Sequence, residues 1–176
     1  MLIMFCGLPG VGKTTVARLV ASRLQATYIR IDTIEQVLRQ AGAAGPIGPE
    51  GYLVGYAIAA DNLALGRTVI ADGVNAMDVT RTAWRRIAQE QGCGFLFVHL
   101  SCSDPGEHRR RLAQRTPEQP GHALPSWSAV SALPFAPPPD DALMLDTAQL
   151  GPEATADAVI HRRRTLTPSA RPPRSR

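Results

Sequence analysis

The sequence predicts an α/β fold: a three-layer sandwich in which a parallel five-stranded sheet carries helices on both faces. Three observations predict it. Short, unbroken apolar runs recur along the chain, as in strands covered on both faces. Segments of helical periodicity separate these runs one by one, the alternation that parallel strands and crossover helices require. The 176 residues hold no internal repeat and no second set of elements, so they build a single domain.

The first strand is LIMFC, Leu2–Cys6, with no polar residue in it. A helix follows over Lys13–Leu24, with Val16, Leu19, Val20 and Leu24 on one face. TYIRI at 27–31 is the second strand, closed by Asp32, and 33–40 reads as a short helix. The stretch 41–49, AGAAGPIGP, is a loop by composition. A helix over 50–65 is expected to turn Leu53, Tyr56, Ala57 and Ala60 inward. RTVIAD at 67–72 is the third strand, and 78–91 is a helix. FLFVHLS, Phe95–Ser101, is the fourth strand. A helix over 104–114 starts with Asp104 as N-cap and Pro105 at the first helical position. Residues 115–141 contain seven of the 15 prolines and little periodicity, so they read as a lid and loop region with no core element. LMLD, Leu143–Asp146, is the fifth strand, and 152–163 is the closing helix.

Composition narrows the functional classes. No apolar run approaches the roughly 20 residues of a membrane span. The opening LIMFC is too short for an export signal and has no basic segment before it, which predicts a cytoplasmic protein without a membrane partner. Cys6, Cys93 and Cys102 form no CxxC pair and are expected as free, buried or half-buried thiols. The net charge of +4 is concentrated at one end: the last sixteen residues carry six of the 19 basic side chains and no acid. The preceding 160 residues hold 13 basic and 15 acidic side chains, so the body is no basic platform and argues against a nucleic-acid partner. Residues 165–176 read as a basic, disordered tail.

GLPGVGKTT, residues 7–15, satisfies G-x-x-x-x-G-K-[ST] between an apolar strand and an amphipathic helix, the context in which this pattern means a phosphate-binding loop. Gly7, Leu8, Pro9, Gly10, Val11, Gly12, Lys13, Thr14 and Thr15 are therefore the nucleotide-binding candidates. Glycines let the backbone wrap with its N–H groups toward phosphate oxygens, and the helix N-terminus adds its positive end. Thr14 offers a hydroxyl to Mg²⁺. Lys13 is the only lysine in the chain. Its compact ammonium suits the narrow loop better than an arginine fork. A guanine-reading N-K-x-D segment is excluded by the same count, and a ring-forming ATPase needs a larger domain.

A kinase of a small substrate needs three further parts, and each has a candidate. Asp32, at the C-terminal edge of the sheet, can contact an acceptor hydroxyl and take its proton; capping the following helix is the alternative. Asp72 closes an apolar strand and is the second metal candidate. Asn75 and Arg81 are substrate-contact candidates. Arg109, Arg110, Arg111 and Arg115 lie on the helix entering the lid and cannot all face one site; at least one is expected to reach the phosphates, first Arg115 and then Arg111, which share a face by i,i+4 spacing. No histidines have metal-ligand spacing. His122 reads as a surface residue of the lid, and Trp127 as a stacking platform or a lid anchor.

GLPGVGKTT, RIDTIEQ, TVIADGVN, HLSCSDPGEHRRRLAQRT and LMLDTA together resemble the small P-loop kinase-like proteins labelled ATP-binding or AAA-family ATPases. That group is akin to chloramphenicol phosphotransferase, gluconate kinase and the kinase half of polynucleotide kinase. The resemblance covers residues 1–164. It implies a P-loop NTPase fold with a mobile lid, ATP with Mg²⁺ as cofactors, and γ-phosphoryl transfer to a hydroxyl of a small molecule. It also implies that Asp32 serves as the base and that Asp146 and Thr147 lie against the adenine. DGVN at 72–75 departs from the Gly-rich triplet of shikimate-type kinases, and the lid carries no substrate signature. Two other readings are a non-transferring ATP-binding switch and a nucleic-acid 5′-hydroxyl kinase, the latter opposed by the acidic body. No oligomeric state is indicated.

Overall fold

The computed structural model describes residues 1–42, 47–116 and 124–166. Five strands form one all-parallel sheet: β1 (Leu2–Cys6), β2 (Thr27–Arg30), β3 (Val69–Asp72), β4 (Phe95–Ser101) and β5 (Leu143–Asp146), in the order β2-β3-β1-β4-β5. The helices are α1 (Lys13–Leu24), α2 (Ile31–Gln40), α3 (Glu50–Ala64), α4 (Asp78–Glu90), α5 (Pro105–Ala113), α6 (Trp127–Ser131) and α7 (Pro152–Thr165).

Alternate residues of the strands feed two cores. Ile3, Phe5, Ile70, Leu96, Val98 and Leu100 pack under α1 and α7, against Val16, Val20, Ala156 and Val159. Leu2, Met4, Cys6, Val69, Ala71 and Phe97 pack under α3 and α4, against Ala59, Leu63, Trp84 and Ile87. This is the expected three-layer sandwich, and all five strands end on one edge. The chain leaves β1 toward β2 on one side, and the connection from β3 then passes β1 to β4 on the other, so the topological switch lies between β1 and β3, and the crevice at their C-terminal ends is where an open α/β sheet takes its ligand.

Several expected boundaries move. The second strand ends at Arg30, and α2 begins at Ile31 instead of residue 33. Ile31 is buried because its side chain turns under α3, where a Cβ on Gly55 would stand 2.8 Å from its Cδ1. Asp32 thereby enters the first turn of α2, a favourable place for a carboxylate. The inward face of α3 is only in part the expected one: Tyr56 and Ala60 pack against the core, but Leu53 and Ala57 do not. Gly51, Gly55, Ala59 and Leu63 are buried, whereas Leu53 is 57% exposed. Small residues at i, i+4 and i+8 let the helix approach more closely than larger apolar side chains would. A Cβ on Gly51 would lie 2.5 Å from Glu35 Cγ.

The stretch expected to be without a core element contributes α6, with buried Val130, and Phe135, which packs against the α3–α4 core. The start of α5 is as expected: Asp104 accepts hydrogen bonds from the backbone N–H groups of Gly106 and Glu107. All three cysteines are free, Cys6 buried and the other two partly so. Burial pushes the Cys6 thiol up, as in an inert core cysteine. Among the described residues no helix is long and apolar enough to cross a membrane. The tail is expected to begin at residue 165, but Thr165 closes α7 and Leu166 packs against the core beneath α1 and α7, so the helix runs on into it; the rest of the tail, 167–176, and His122, within 117–123, lie outside the described residues.

Candidate functional site

The loop between β1 and α1 is fixed by backbone geometry that only glycine takes comfortably. Gly7 has φ 144°, and a Cβ there would meet the Leu100 carbonyl oxygen at 2.3 Å. Gly12 has φ 95° and opens α1, with Val16 N–H donating to its carbonyl. Neighbouring elements brace the loop from behind. His108 Nε2 donates to the Pro9 carbonyl at 2.8 Å from α5. Val11 is buried, and its carbonyl lies 2.9 Å from the Thr147 hydroxyl, as does that of Ser101.

A cavity of about 550 Å³ opens above the loop. Pro9, Gly10, Gly12, Lys13, Thr14 and Thr15 form its floor. Asp32, Asp72, Arg111 and Arg115 line its walls. Gly7, Leu8 and Val11 are not among the lining residues and turn into the protein. The sequence reading missed Arg18, Gln114, Thr116 and Pro125, all of which line the cavity. For Arg18 a signal existed: it stands one helical turn after Thr14 and Thr15.

Lys13 is 8% exposed, and its Nζ donates to the Leu8 carbonyl at 2.9 Å. Burial pushes its pKa below the ordinary lysine range, while the carboxylates of Asp72 and Asp32 oppose that shift. Asp72 is 2% exposed and accepts a 2.7 Å hydrogen bond from the Tyr28 hydroxyl. Asp32 is 37% exposed, with Arg30 Nη2 at 3.5 Å from its Oδ2. Arg111 donates to Glu107 at 2.6 Å, to the Thr147 hydroxyl at 2.9 Å and to the Thr147 carbonyl at 3.0 Å, so it enters the cavity already oriented. Hydrogen bonds from Arg110 and Arg111 hold the Glu107 carboxyl down at about 2, so this clamp stays ionised down to acid pH. Arg110 is spent on Glu107 and Gln114 at the exposed side.

Four expected site residues lie away from the cavity walls. Asn75 is fully buried: its Nδ2 donates to the Phe5 carbonyl, its Oδ1 accepts from Trp84, and its carbonyl accepts from Arg81 and Cys6. Arg81 donates to the carbonyls of Asn75, Ala136 and Pro137 and lies over the rings of Phe97 and Phe135. Neither side chain has a polar group left for a substrate; together they tie the segment after α6 to the end of β1. Arg81→Met is expected to lower the unfolding free energy by about 3 kcal/mol, because the Ala136 and Pro137 carbonyls lose their donor and that of Asn75 keeps only the weak Cys6 thiol. Nucleotide affinity should stay near that of the wild type; denaturant titration and nucleotide titration of the same variant check both.

Asp146 accepts from the backbone N–H groups of Ser103 and Ala148; the Ser103 side chain first, and then these N–H groups, hold its carboxyl below the usual range. It and Thr147 brace the loops behind the cavity and do not line it. Trp127 packs edge-on against His108, with ring centroids 5.1 Å apart, which makes it an anchor of α6 on α5.

No cluster of three or more His, Cys, Asp or Glu side chains able to cage a metal occurs among the described residues. The carboxylate of Asp72 and the hydroxyl of Thr14 both line the cavity. This donor set suits Mg²⁺ arriving with a nucleotide, which keeps waters and phosphate oxygens as its other ligands.

A family model described as an AAA domain matches residues 2–126. No curated protein matches the chain. Among solved structures, the fold is similar to that of a gluconokinase from Sinorhizobium meliloti, at 22% identity and TM-score 0.63 over 92% of this chain and 91% of that one. It is similar to the APS kinase CysC of Mycobacterium tuberculosis in complex with AMPPNP and APS, at 20% identity and TM-score 0.68 over 93% and 97%. Kti12 from Chaetomium thermophilum, in complex with ADP-AlF3, aligns at 18% identity and TM-score 0.71 over 95% and 100%. At these identities the likeness is one of fold, that of the P-loop kinases.

Proposed function

The chain belongs to this AAA-domain family, and from that membership we propose that it is an ATP- and Mg²⁺-dependent phosphotransferase acting on a hydroxyl of a small molecule. One observation carries the reading: a single cavity holds both the phosphate loop and the carboxylate of Asp32. A switch that only binds nucleotide has no need of a second carboxylate across from the phosphates. Two of the fold's relatives, the gluconokinase and the APS kinase, are named for such transfers.

In this reading the loop N–H groups and the α1 N-terminus receive the phosphates, and Lys13 exchanges the Leu8 carbonyl for the β- and γ-phosphate oxygens. Thr14 and Asp72 would hold Mg²⁺, which when bound neutralises charge on those oxygens. Asp32 accepts the proton of the acceptor hydroxyl as its oxygen bonds to the γ-phosphorus and the bond to ADP breaks. Arg111 and Arg115 face the charge that spreads over the transferring group. Residues 115–141 act as the lid of a single domain spanning 1–164. Its Phe135–Pro137 part is tied down by Arg81, and its α6 part by the Trp127–His108 contact.

The test is incubation with ATP and Mg²⁺ over a mixed pool of sugar acids, other hydroxyl metabolites, hydroxylated antibiotics and a 5′-hydroxyl oligonucleotide, followed by mass spectrometry. A small molecule gaining one phosphoryl group supports the proposal and names the acceptor. Phosphorylation of the oligonucleotide alone, or ATP binding with no product in any class, overturns it.

A further inference from the structure

We infer that Tyr28 is a positioning residue for Asp72, holding one carboxylate oxygen so that the other is presented to the metal carried by the nucleotide. The inference rests on the reading of Asp72 given above. Parallel pairing sets Tyr28 beside Ile70 and Arg30 beside Asp72, so Tyr28 and Asp72 project on the same face of the sheet, toward α1. The phenol is long enough to reach forward along that face, and its hydroxyl donates to Asp72 Oδ2 at 2.7 Å. A hydroxyl bound to a carboxylate is among the stronger hydrogen bonds.

The second torsion of an aspartate is broad and two-fold, so a carboxylate at a strand end has no intrinsic preference for which oxygen points outward. Mg²⁺ demands near-ideal octahedral geometry, directly or through its waters, and punishes a ligand that swings. The groups that orient metal ligands carry much of a site's affinity for this reason. Asp72 is 2% exposed, and Tyr28 is its hydrogen-bond donor.

The ring itself has a separate job. It lines a second, open cavity of about 400 Å³ together with Arg18, Ala21, Ser22, Gln25 and Ala26. Its packing against the α1–α7 core does not depend on the oxygen. Tyr28→Phe therefore keeps the wall and deletes only the contact to Asp72.

The experiment measures the affinity of a non-hydrolysable ATP analogue for the full chain, wild type and Tyr28→Phe, across a Mg²⁺ series that begins in a chelator. The expected result is unchanged affinity without metal and a need for about ten times more Mg²⁺ to reach half of the metal-dependent gain. Coincident Mg²⁺ curves for the two proteins overturn the inference while leaving the reading of Asp72 intact. Equal weakening with and without metal also overturns it, because Tyr28 would then support only the fold. A wild-type protein whose affinity ignores Mg²⁺ overturns the reading of Asp72 and this inference with it.

Discussion

Lys13→Ala is expected to abolish phosphoryl transfer, by at least about 10³-fold, together with most of the nucleotide affinity. The size follows from the surroundings of the ammonium. Lys13 is nearly buried, and its Nζ rests on the Leu8 carbonyl at the floor of the cavity. No other lysine exists to take its place. Lys13→Arg should recover little, because a planar fork needs room that the close turn of the loop does not offer. Nucleotide titration and single-turnover transfer measure the two effects, and turnover near that of the wild type in either variant would show that the loop does not bind the reacting phosphates. The same residue sets a pH dependence. Binding needs the ammonium, and burial places its pKa below the usual 10.5. Affinity should thus begin to fall as the pH rises through that depressed value, before a free lysine would discharge.

Asp32→Asn should leave ATP affinity nearly unchanged and cut transfer by about 10²- to 10⁴-fold, the range for loss of a general base. An amide keeps the shape and the placement in the first turn of α2 but cannot accept the proton. At 37% exposed and beside Arg30, Asp32 is open enough to meet an acceptor at the cavity wall. Transfer that survives at the wild-type rate would reduce Asp32 to a carboxylate favoured by the start of its helix. The decisive measurement is the rate of a single turnover with ATP saturating, which separates binding from chemistry.

The fold and the phosphate loop were legible in the sequence because each rests on a local rule. Buried parallel strands read as apolar runs, and the loop needs glycine wherever its φ is positive. Asp32 and Asp72 were legible for a related reason: an acid at the end of an apolar strand, or just past one, comes to the ligand edge of a parallel sheet, Asp72 as the last residue of β3 and Asp32 in the first turn of the helix after β2. The misreadings have a common cause in partners that lie far along the chain. Asn75 and Arg81 look like substrate contacts in a linear reading, but Asn75 finds Phe5 and Arg81 finds Ala136 and Pro137. No periodicity announces such pairings. The inward face of α3 was only partly foreseen, because large apolar residues outweigh glycine in any count of hydrophobicity. Close helix packing is decided by what is small. His108 gave no signal, since its role is to meet the backbone of a loop 99 residues earlier.

That row of small residues on α3 reaches beyond packing. The proposed base stands next to Ile31 in the chain, and Ile31 fills the space left by the missing side chain of Gly55. A single added methyl there would press on the residue beside Asp32, and displacements of about 1 Å can cost transfer two orders of magnitude. The aim of the reacting carboxylate is thus inherited from an absence on another helix. Drift at Gly55 would register as lost catalysis in a protein that still folds and still holds its nucleotide.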